Sequence, residues 1–467
     1  MNQIATVIRY ELRRGLRDRG LAALLILFVG LCGFAAWNGA EWAEGRTAAA
    51  GLVAAEVDTA MERKRKDMAE APAGKPPFSA MPETMPFRPV LLPGPLAALS
   101  IGQADAYPFA ARFQPLSDST IFNGFTVDID NPAVRAAGRF DLAFVIVFLL
   151  PLLILANTFD LWSREREGGI AAMILSQPIG PGRLMFGKAL ARGLLLLPAA
   201  VLAATGALIL GRAGAGAVDV AGLVSTALTI GVYGVFWIGV AALVNVFVRR
   251  STETAVACGV AWISIVVLAP ALALSLADAI APAPSTTQYA LALRAESTAI
   301  RTRQRLLREA SQPDAASPPT TRIPPRMREF YLERTEEDRL LAPRISAHRA
   351  AQDRRRQTLD ALRMVLPAVA VQDALDRIAG ADADRAVAFQ DEVLAFKGRT
   401  RTWLAGRLEA DQPLSAHELG ALPRFALRPV PGGPFQHGVL IDLAVLLGSA
   451  GLVFGGVLLG RRASTTL

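Results

Sequence analysis

The residues whose types and spacing could do chemistry fall into three groups. Gly182, Gly187 and Lys188 match GxxxxGK, the opening of a loop whose backbone N–H groups cradle phosphates. The next residue is Ala189, which has no hydroxyl for magnesium; no strand-like run precedes the motif and a long apolar run follows it. Nucleotide binding is not expected there. The three histidines, His348, His417 and His437, have no second histidine or cysteine at metal-ligand spacing, and His417-Glu418 is not completed to HExxH. There is no GxSxG, and no Cys/His pairing sets a nucleophile beside a base. This chain is expected to hold no metal, cofactor or catalytic set of its own. The third group is polar residues within or near apolar runs, which start under functional suspicion. Asn157, Asn245 and Asp442 belong here. Asp442 sits about one turn inside its run, where packing or helix-end solvation is favoured over a substrate contact. Asp141, Asp160 and Asp278 lie at run ends, within reach of solvent or headgroups.

The elements that must position these residues are read from the apolar runs. Of 467 residues, 52% are hydrophobic and only 19% charged, and the apolar ones are bunched. Crossing about 30 Å of hydrocarbon takes roughly 20 mostly apolar helical residues. Six runs approach that length: 21–37, 140–158, 189–210, 223–248, 254–277 and 438–459. The expected class is an all-α integral membrane protein, a six-span helical bundle in a lipid bilayer. A net charge of +8 would fit a nucleic-acid partner, but its placement argues otherwise. Arg9, Arg13, Arg14, Arg17 and Arg19 precede the first run, Arg249-Arg250 follow the fourth, and Arg461-Arg462 follow the sixth. With Arg164, Arg166, Arg183 and Lys188 they all fall on one side if the runs cross in turn. That positive-inside pattern makes both termini cytoplasmic, and the arginine-over-lysine bias points to a bacterial genome, so a bacterial inner membrane is the expected location. Long inserts translocate largely regardless of charge, so Arg63-Lys64-Arg65-Lys66 does not overturn it. Cys32 and Cys258 both lie inside predicted spans, leaving no disulfides for the parts outside.

Residues 1–20 read as a basic amphipathic helix at the cytoplasmic interface, with Ile4, Val7, Ile8, Leu12 and Leu16 on one face. A cleaved signal peptide is the competing reading; the long basic region and long apolar run favour an uncleaved anchor. Segment 38–139 is a first extracytoplasmic part, helix-like over 41–70 and proline-rich over 72–95, with 96–109 too short and polar to span. Segment 278–437 is a second, expected to be mostly helical over 288–309, 344–366, 371–380 and 385–408, with a proline-rich break at 311–326. Spans four and five are joined by a tight turn at 249–253, so they must be antiparallel neighbours. Span six carries Gly448, Gly451, Gly455 and Gly456, small residues one turn apart that let another helix approach closely, within the bundle or in a second subunit. A short tail, 460–467, follows.

The long polar interruption in the apolar middle is 159–188. Ser163 to Glu167 alternate charges, and Ile170, Met173 and Ile174 then fall at i, i+3 and i+4, one apolar stripe of about two turns. Gln177-Pro178 ends it, because proline has no N–H to donate. A short amphipathic helix held between two spans has an apolar face that needs a cover.

Arg164-Glu165-Arg166-Glu167-Gly168-Gly169, then Ser176-Gln177-Pro178, then Gly187-Lys188 resemble the cytoplasmic loop of ABC-2-type transporter permeases, read there as E-R-E-x-G-T, a short apolar helix, S-x-P and G-K. Gly169-Ile170 stands where Gly-Thr is more usual. The six spans, amphipathic N-terminal helix and inside termini fit the same type V exporter-like architecture, closest to a subgroup with large inserts between spans one and two and between spans five and six. The resemblance implies a half-transporter. A second permease chain, identical or a related paralogue, would pair with this one, and two separate ABC ATPase subunits, which bind the ATP and magnesium, would dock from the cytoplasm. Residues 169–176 would be the coupling helix in the ATPase groove. Glu165 and Glu167 are left to pair either with the ATPase or with Arg164 and Arg166.

Two function classes follow. The first is a transport permease, an exporter by family likeness. The second is a mechanotransmission or signalling scaffold, whose ATPase-driven motion acts on periplasmic or envelope proteins through the large outer segments without substrate crossing. An intramembrane enzyme, with Asp442 as its best candidate residue, lacks a paired catalytic set. Nothing in the spans selects a substrate.

Overall fold

The computed structural model describes residues 3–71, 77, 80–81, 85, 87–105, 107–111, 113, 125–126, 140–169, 173, 176, 180–211, 219–310, 321–426 and 437–464, without side chains at 3, 125–126, 181, 421 and 461–464. Among them the helices are α1 (Gln3–Gly15), α2 (Arg19–Ala69), α3 (Leu142–Glu167), α4 (Pro181–Gly211), α5 (Val220–Phe247), α6 (Ser251–Ile280), α7 (Thr286–Ala310), α8 (Pro325–Arg363), α9 (Pro367–Ala379), α10 (Ala383–Glu409) and α11 (His437–Ser464). Six of these, α2 to α6 and α11, are long and apolar enough to cross a membrane. The chain is an all-α integral membrane protein; the strands described are one two-residue antiparallel pair, Ala110–Ala111 with Phe125–Thr126.

Local chemistry sets the ends of these helices. The Asp18 carboxylate accepts from the Gly20 and Leu21 N–H groups and starts α2. That helix then runs 51 residues without a break, about 77 Å at 1.5 Å per residue. Hydrocarbon takes about 30 Å of it, so span one and the charged stretch 41–69 are one rod. Asp141 caps α3 by accepting from Phe144 N–H at 2.8 Å. Pro151 then offers no N–H to the Val147 carbonyl, and a π-helical turn, Val145–Leu149, forms just before it. The Tyr233 hydroxyl donates to Val147 O at 3.0 Å and the Trp262 indole to Phe148 O at 3.2 Å, so neither carbonyl is left bare in an apolar setting. A second π-helical turn, Ile263–Leu268, precedes Pro270 in α6 in the same way.

The bundle packs around α5, whose Tyr233, Phe236 and Trp237 are buried at its centre. Span six lies along it: Gly239 admits Phe454 and Val453, while a Cβ at Gly456 would meet Leu243 at 3.2 Å. Gly456 therefore packs inside the bundle. Gly448, Gly451 and Gly455 have open space where a side chain would be. The N-terminal helix does not only lie on a surface. Val7 packs against Gly187 and Gly15 against Leu195, both on α4, while Leu16, placed on the apolar face by its spacing, is exposed.

At the end opposite the hairpin, residues 94–105 lock into the spans as a small core element. The Ala98 carbonyl sits against Gly39, where any Cβ would collide. Ala143 N–H donates to Leu99 O at 2.9 Å, and Asp141 accepts from Ile101 N–H at 2.9 Å. Asp141 is therefore buried and bonded, and the expectation that solvent reaches it fails because this segment covers it. Asn38 reaches Phe140 O at 2.8 Å, and Trp42 reaches Asp105 at 2.7 Å. Helix α9 lies across α5 and α11. Beyond it, α7 and α8 pair through Leu293, Leu341 and a Tyr289–His348 ring stack. Phe389 and Phe396 of α10 close over Met85, Phe87 and Phe113.

Candidate functional site

The hairpin between α3 and α4 is built from its base upward. Its anchor is Asn245 on α5, fully buried. Its carbonyl oxygen accepts from the Trp162 and Ser163 N–H groups at 3.0 and 3.3 Å, and its amide donates to Phe159 O at 2.9 Å and Ala241 O at 2.8 Å. Four bonds satisfy this side chain, so the polarity inside span four serves to hold the end of α3. Asn157 does less: its side-chain amide returns to Leu153 O at 2.8 Å, and its backbone carbonyl accepts from Arg192.

In the charged run Arg164, Glu165, Arg166, Glu167 the middle two are partly buried and the outer two are exposed. Arg166 donates to Asn245 O at 3.0 Å and Val248 O at 3.4 Å, satisfying the last carbonyls of α5, and lies over the Trp162 ring. Glu165 pairs with Lys188 in a nearly buried ion pair. Glu167 accepts from Ser251 N–H at 3.1 Å, at the start of α6. Neither glutamate pairs with Arg164 or Arg166, because both arginines point to other partners. Arg164 is exposed and reaches Asp160 only at 3.5 Å. The hairpin base is thus stitched to spans three, four and five by its own charges.

Past Gly168, Gly169 turns the chain with a φ of +69°, open space where a Cβ would be and no neighbour to clash. Met173 follows and is 67% exposed. Ser176 donates its hydroxyl back to Met173 O at 2.7 Å. Ile170, Ile174, Gln177 and Pro178 lie outside the described residues. The stripe is therefore visible at Met173 alone, an exposed thioether at the far end of a firmly held base.

Asp442 is fully buried near the other end of the bundle, 3.3 Å from Arg377 Nε on α9 and 3.9 Å from Arg363 Nε on α8. It is an ion-pair partner that ties span six to the outer helices. Two groups escaped the reading of the sequence. Arg192 binds Asp160 at 2.5 Å under the hairpin, and it is the single charged residue within 189–210, so the rule that flagged Asp442 could have found it. Asp376 and Ser100, bonded at 2.6 Å across 276 residues, carry no such signal.

The family model described as "ABC-2 family transporter protein" matches residues 5–390, nearly the whole bundle and much of the outer helices. Among curated proteins, the "Probable ABC transporter permease protein NosY" of Pseudomonas aeruginosa is 38% identical over 61 residues, which are 13% of this chain and 22% of that protein. The chain thus spans about a fifth of the length of the curated relative it matches. With six membrane-length helices and a charged hairpin after the second of them, the chain belongs to the ABC-2 family of transporter proteins.

Proposed function

We propose that this chain is the permease subunit of an ABC exporter, driven by separate ATPase subunits that dock on the hairpin at 159–188. The observation that carries the reading is the contrast within that hairpin. Glu165, Arg166, Glu167 and Lys188 are used up in fixing its base, while Met173 is offered to the outside. A lever needs a stiff root and a free, sticky tip. In this reading residues 169–176 seat in a groove of the ATPase, with Arg164 at the edge. Two ATPases bind the ATP and magnesium, and a second permease chain completes the assembly in a bacterial inner membrane. Both termini are cytoplasmic, and the segments at the opposite end are extracytoplasmic. Closure of the ATPases drives the spans as rigid bodies.

The test is purification of the tagged chain from its native host in mild detergent, beside Met173→Asp. An ATPase recovered with the natural chain and at least about tenfold depleted from the variant supports the reading, since burying an unpaired charge at an interface costs more than the 1.4 kcal/mol of a tenfold change. An ATPase kept equally by both moves the contact elsewhere, and its absence from both sinks the permease reading.

A second reading has its own support. The outer segments are locked onto spans one, two, four and six rather than tethered, as a device that passes motion to envelope proteins without transport would require. Reconstituted, ATP-dependent movement of any substrate would remove the need for it.

A further inference from the structure

At the hairpin end, between α1, the end of α3 and the start of α4, lies a cavity of about 120 Å³. Its charged lining is balanced: Glu11, Asp18 and Asp160 against Arg14, Arg164 and Arg192. The balance is not one of closed pairs. Arg192 gives its guanidinium to Asp160 at 2.5 Å and to the Asn157 carbonyl. Its Nε stays 3.8 Å from Glu11, beyond hydrogen-bond reach. Glu11 is only 8% exposed, and its carboxylate accepts no hydrogen bond from the described residues. A buried carboxylate that faces a polar cavity and holds its arginine only as an ion pair at 3.8 Å has room for a hydrogen-bond donor.

The mouth has the opposite character. Arg14 is exposed, with no ion pair among the described residues, and Arg164 is 63% exposed and holds Asp160 only at 3.5 Å. Asp18 is spent on the N–H groups of Gly20 and Leu21. Two guanidiniums at the rim, Arg14 without an ion pair among the described residues and Arg164 with one long contact, suit a phosphate. The apolar part of the lining includes Leu21 and Leu195, and Leu24 and Leu27, the next turns along α2, and Leu194 on α4 are exposed. The cavity therefore lies where α1 meets the first turn of span one, at headgroup depth, with hydrocarbon below it.

We propose that this cavity binds the headgroup of a phospholipid carrying a primary ammonium. Glu11 receives the ammonium, Arg14 and Arg164 hold the phosphate, and the acyl chains lie against Leu24 and Leu27. An –NH₃⁺ group supplies the donors Glu11 lacks. A trimethylammonium group has no N–H to give and is wider. A glycerol headgroup brings no cation and would face three carboxylates. Because Asp160 and Arg164 belong to the foot of the hairpin, an occupied site braces that foot against α1.

The test places the full chain in nanodiscs of equal phosphatidylethanolamine, phosphatidylcholine and phosphatidylglycerol with matched acyl chains. Phospholipid retained after detergent extraction is then counted by native mass spectrometry. The natural chain is expected to keep one ethanolamine lipid in about tenfold preference over choline lipid, the scale of one charge-assisted hydrogen bond. Glu11→Gln should bring that ratio near unity while retaining phospholipid. Arg14→Gln with Arg164→Gln, both at exposed positions and harmless to folding, should lower retention of ethanolamine and choline lipids alike. Equal retention of the two by the natural chain, a preference for phosphatidylglycerol, or a ratio unmoved in Glu11→Gln would each overturn the assignment. If Glu11→Gln fails to fold, the natural ratio and the double arginine variant decide.

Discussion

The two ends of the bundle are fastened by different means. At the hairpin end the joints are side chains: Asn245, Arg166, Glu167 and the Glu165–Lys188 pair tie a short excursion to three spans. At the opposite end backbone meets backbone. Ala98 lies on Gly39, Gly94 on Ala379, and Leu99 shares a hydrogen bond with Ala143. Buried charges, Asp442 with Arg377 and Asp141 under Ile101, fill the seam between them. Both ends are firmly held, but the hairpin end carries an exposed tip at Met173 beyond its joints, whereas close backbone contacts leave the opposite end little room to shift. In the proposed function the first end is the one a partner grips, and the other moves as a single block with the spans.

The largest expected effect tests the rigid end. Arg377→Ala leaves Asp442 buried with only Arg363 at 3.9 Å, and removing one partner of a buried pair costs about 3–5 kcal/mol. Thermal unfolding in detergent should show it, with Asp442→Asn milder because no lone charge is left. A loss below about 1 kcal/mol, the range of exposed pairs, would mean the seam is no lock. Next comes the hairpin's anchor. Asn245→Ala strands the Trp162 and Ser163 N–H groups and should cost about 2 kcal/mol, on the scale of unmet buried donors. It should also raise hydrogen exchange at 159–168 before any other stretch. If exchange rises equally across α9, the two ends are not independently fastened.

A smaller effect separates the ends by pH. Burial pushes the Asp376 carboxyl on α9 up to about 8, against the lowering effect of its bonds to Ser100 at 2.6 Å and Gln372 at 2.8 Å, with Asp373 and Asp141 adding to the rise. The carboxyl faces the Ser100–Gly102 turn, where Gly102, at a φ of +48°, leaves no room for a Cβ; Asp141 lies beyond that turn, and Asp373 and Arg377 flank it on its own helix. The folded state thus holds a proton that the unfolded chain releases near the ordinary carboxylate range. The stabilisation is complete below that range and is lost as pH rises toward about 8. Asp376→Asn should flatten this slope, read as melting temperature against pH between 5 and 8. A slope unchanged in the variant would place the titrating group elsewhere.

How much of this was legible in the sequence follows from the range of the forces involved. The six spans and the helices near 288–309, 371–380 and 385–408 showed because hydrophobicity and helix formers are local signals. The unbroken α2 did not: an apolar run that stops at Trp37 looks like the end of a helix, yet the alanine-rich stretch beyond it has nothing to break one. Likewise Arg344 appeared to begin a helix that in fact starts at Pro325. Asn245 and Asp442 stood out as polar residues in apolar runs, but their partners, Trp162 and Arg377, lie 83 and 65 residues away and left no mark near them. The inward turn of Glu165 and the bond of the exposed Glu167 to Ser251 were hidden for the same reason, since a charge run reads the same whether it faces water or a neighbouring span.

The smallest effect bears most directly on the hairpin as a lever. Met173→Asp alters a side chain that is mostly in solvent, and Ser176 bonds to the Met173 carbonyl, which the substitution keeps. Surface changes away from caps and buried networks stay within about 0.5 kcal/mol. The variant should therefore melt with the natural chain while losing the proposed ATPase partner. A substantially lower melting temperature would mean that Met173 packs on its own chain. The exposed tip would then be a closed one, the hairpin end would be as locked as the opposite end, and the division of the bundle into a gripped end and a rigid end would fail.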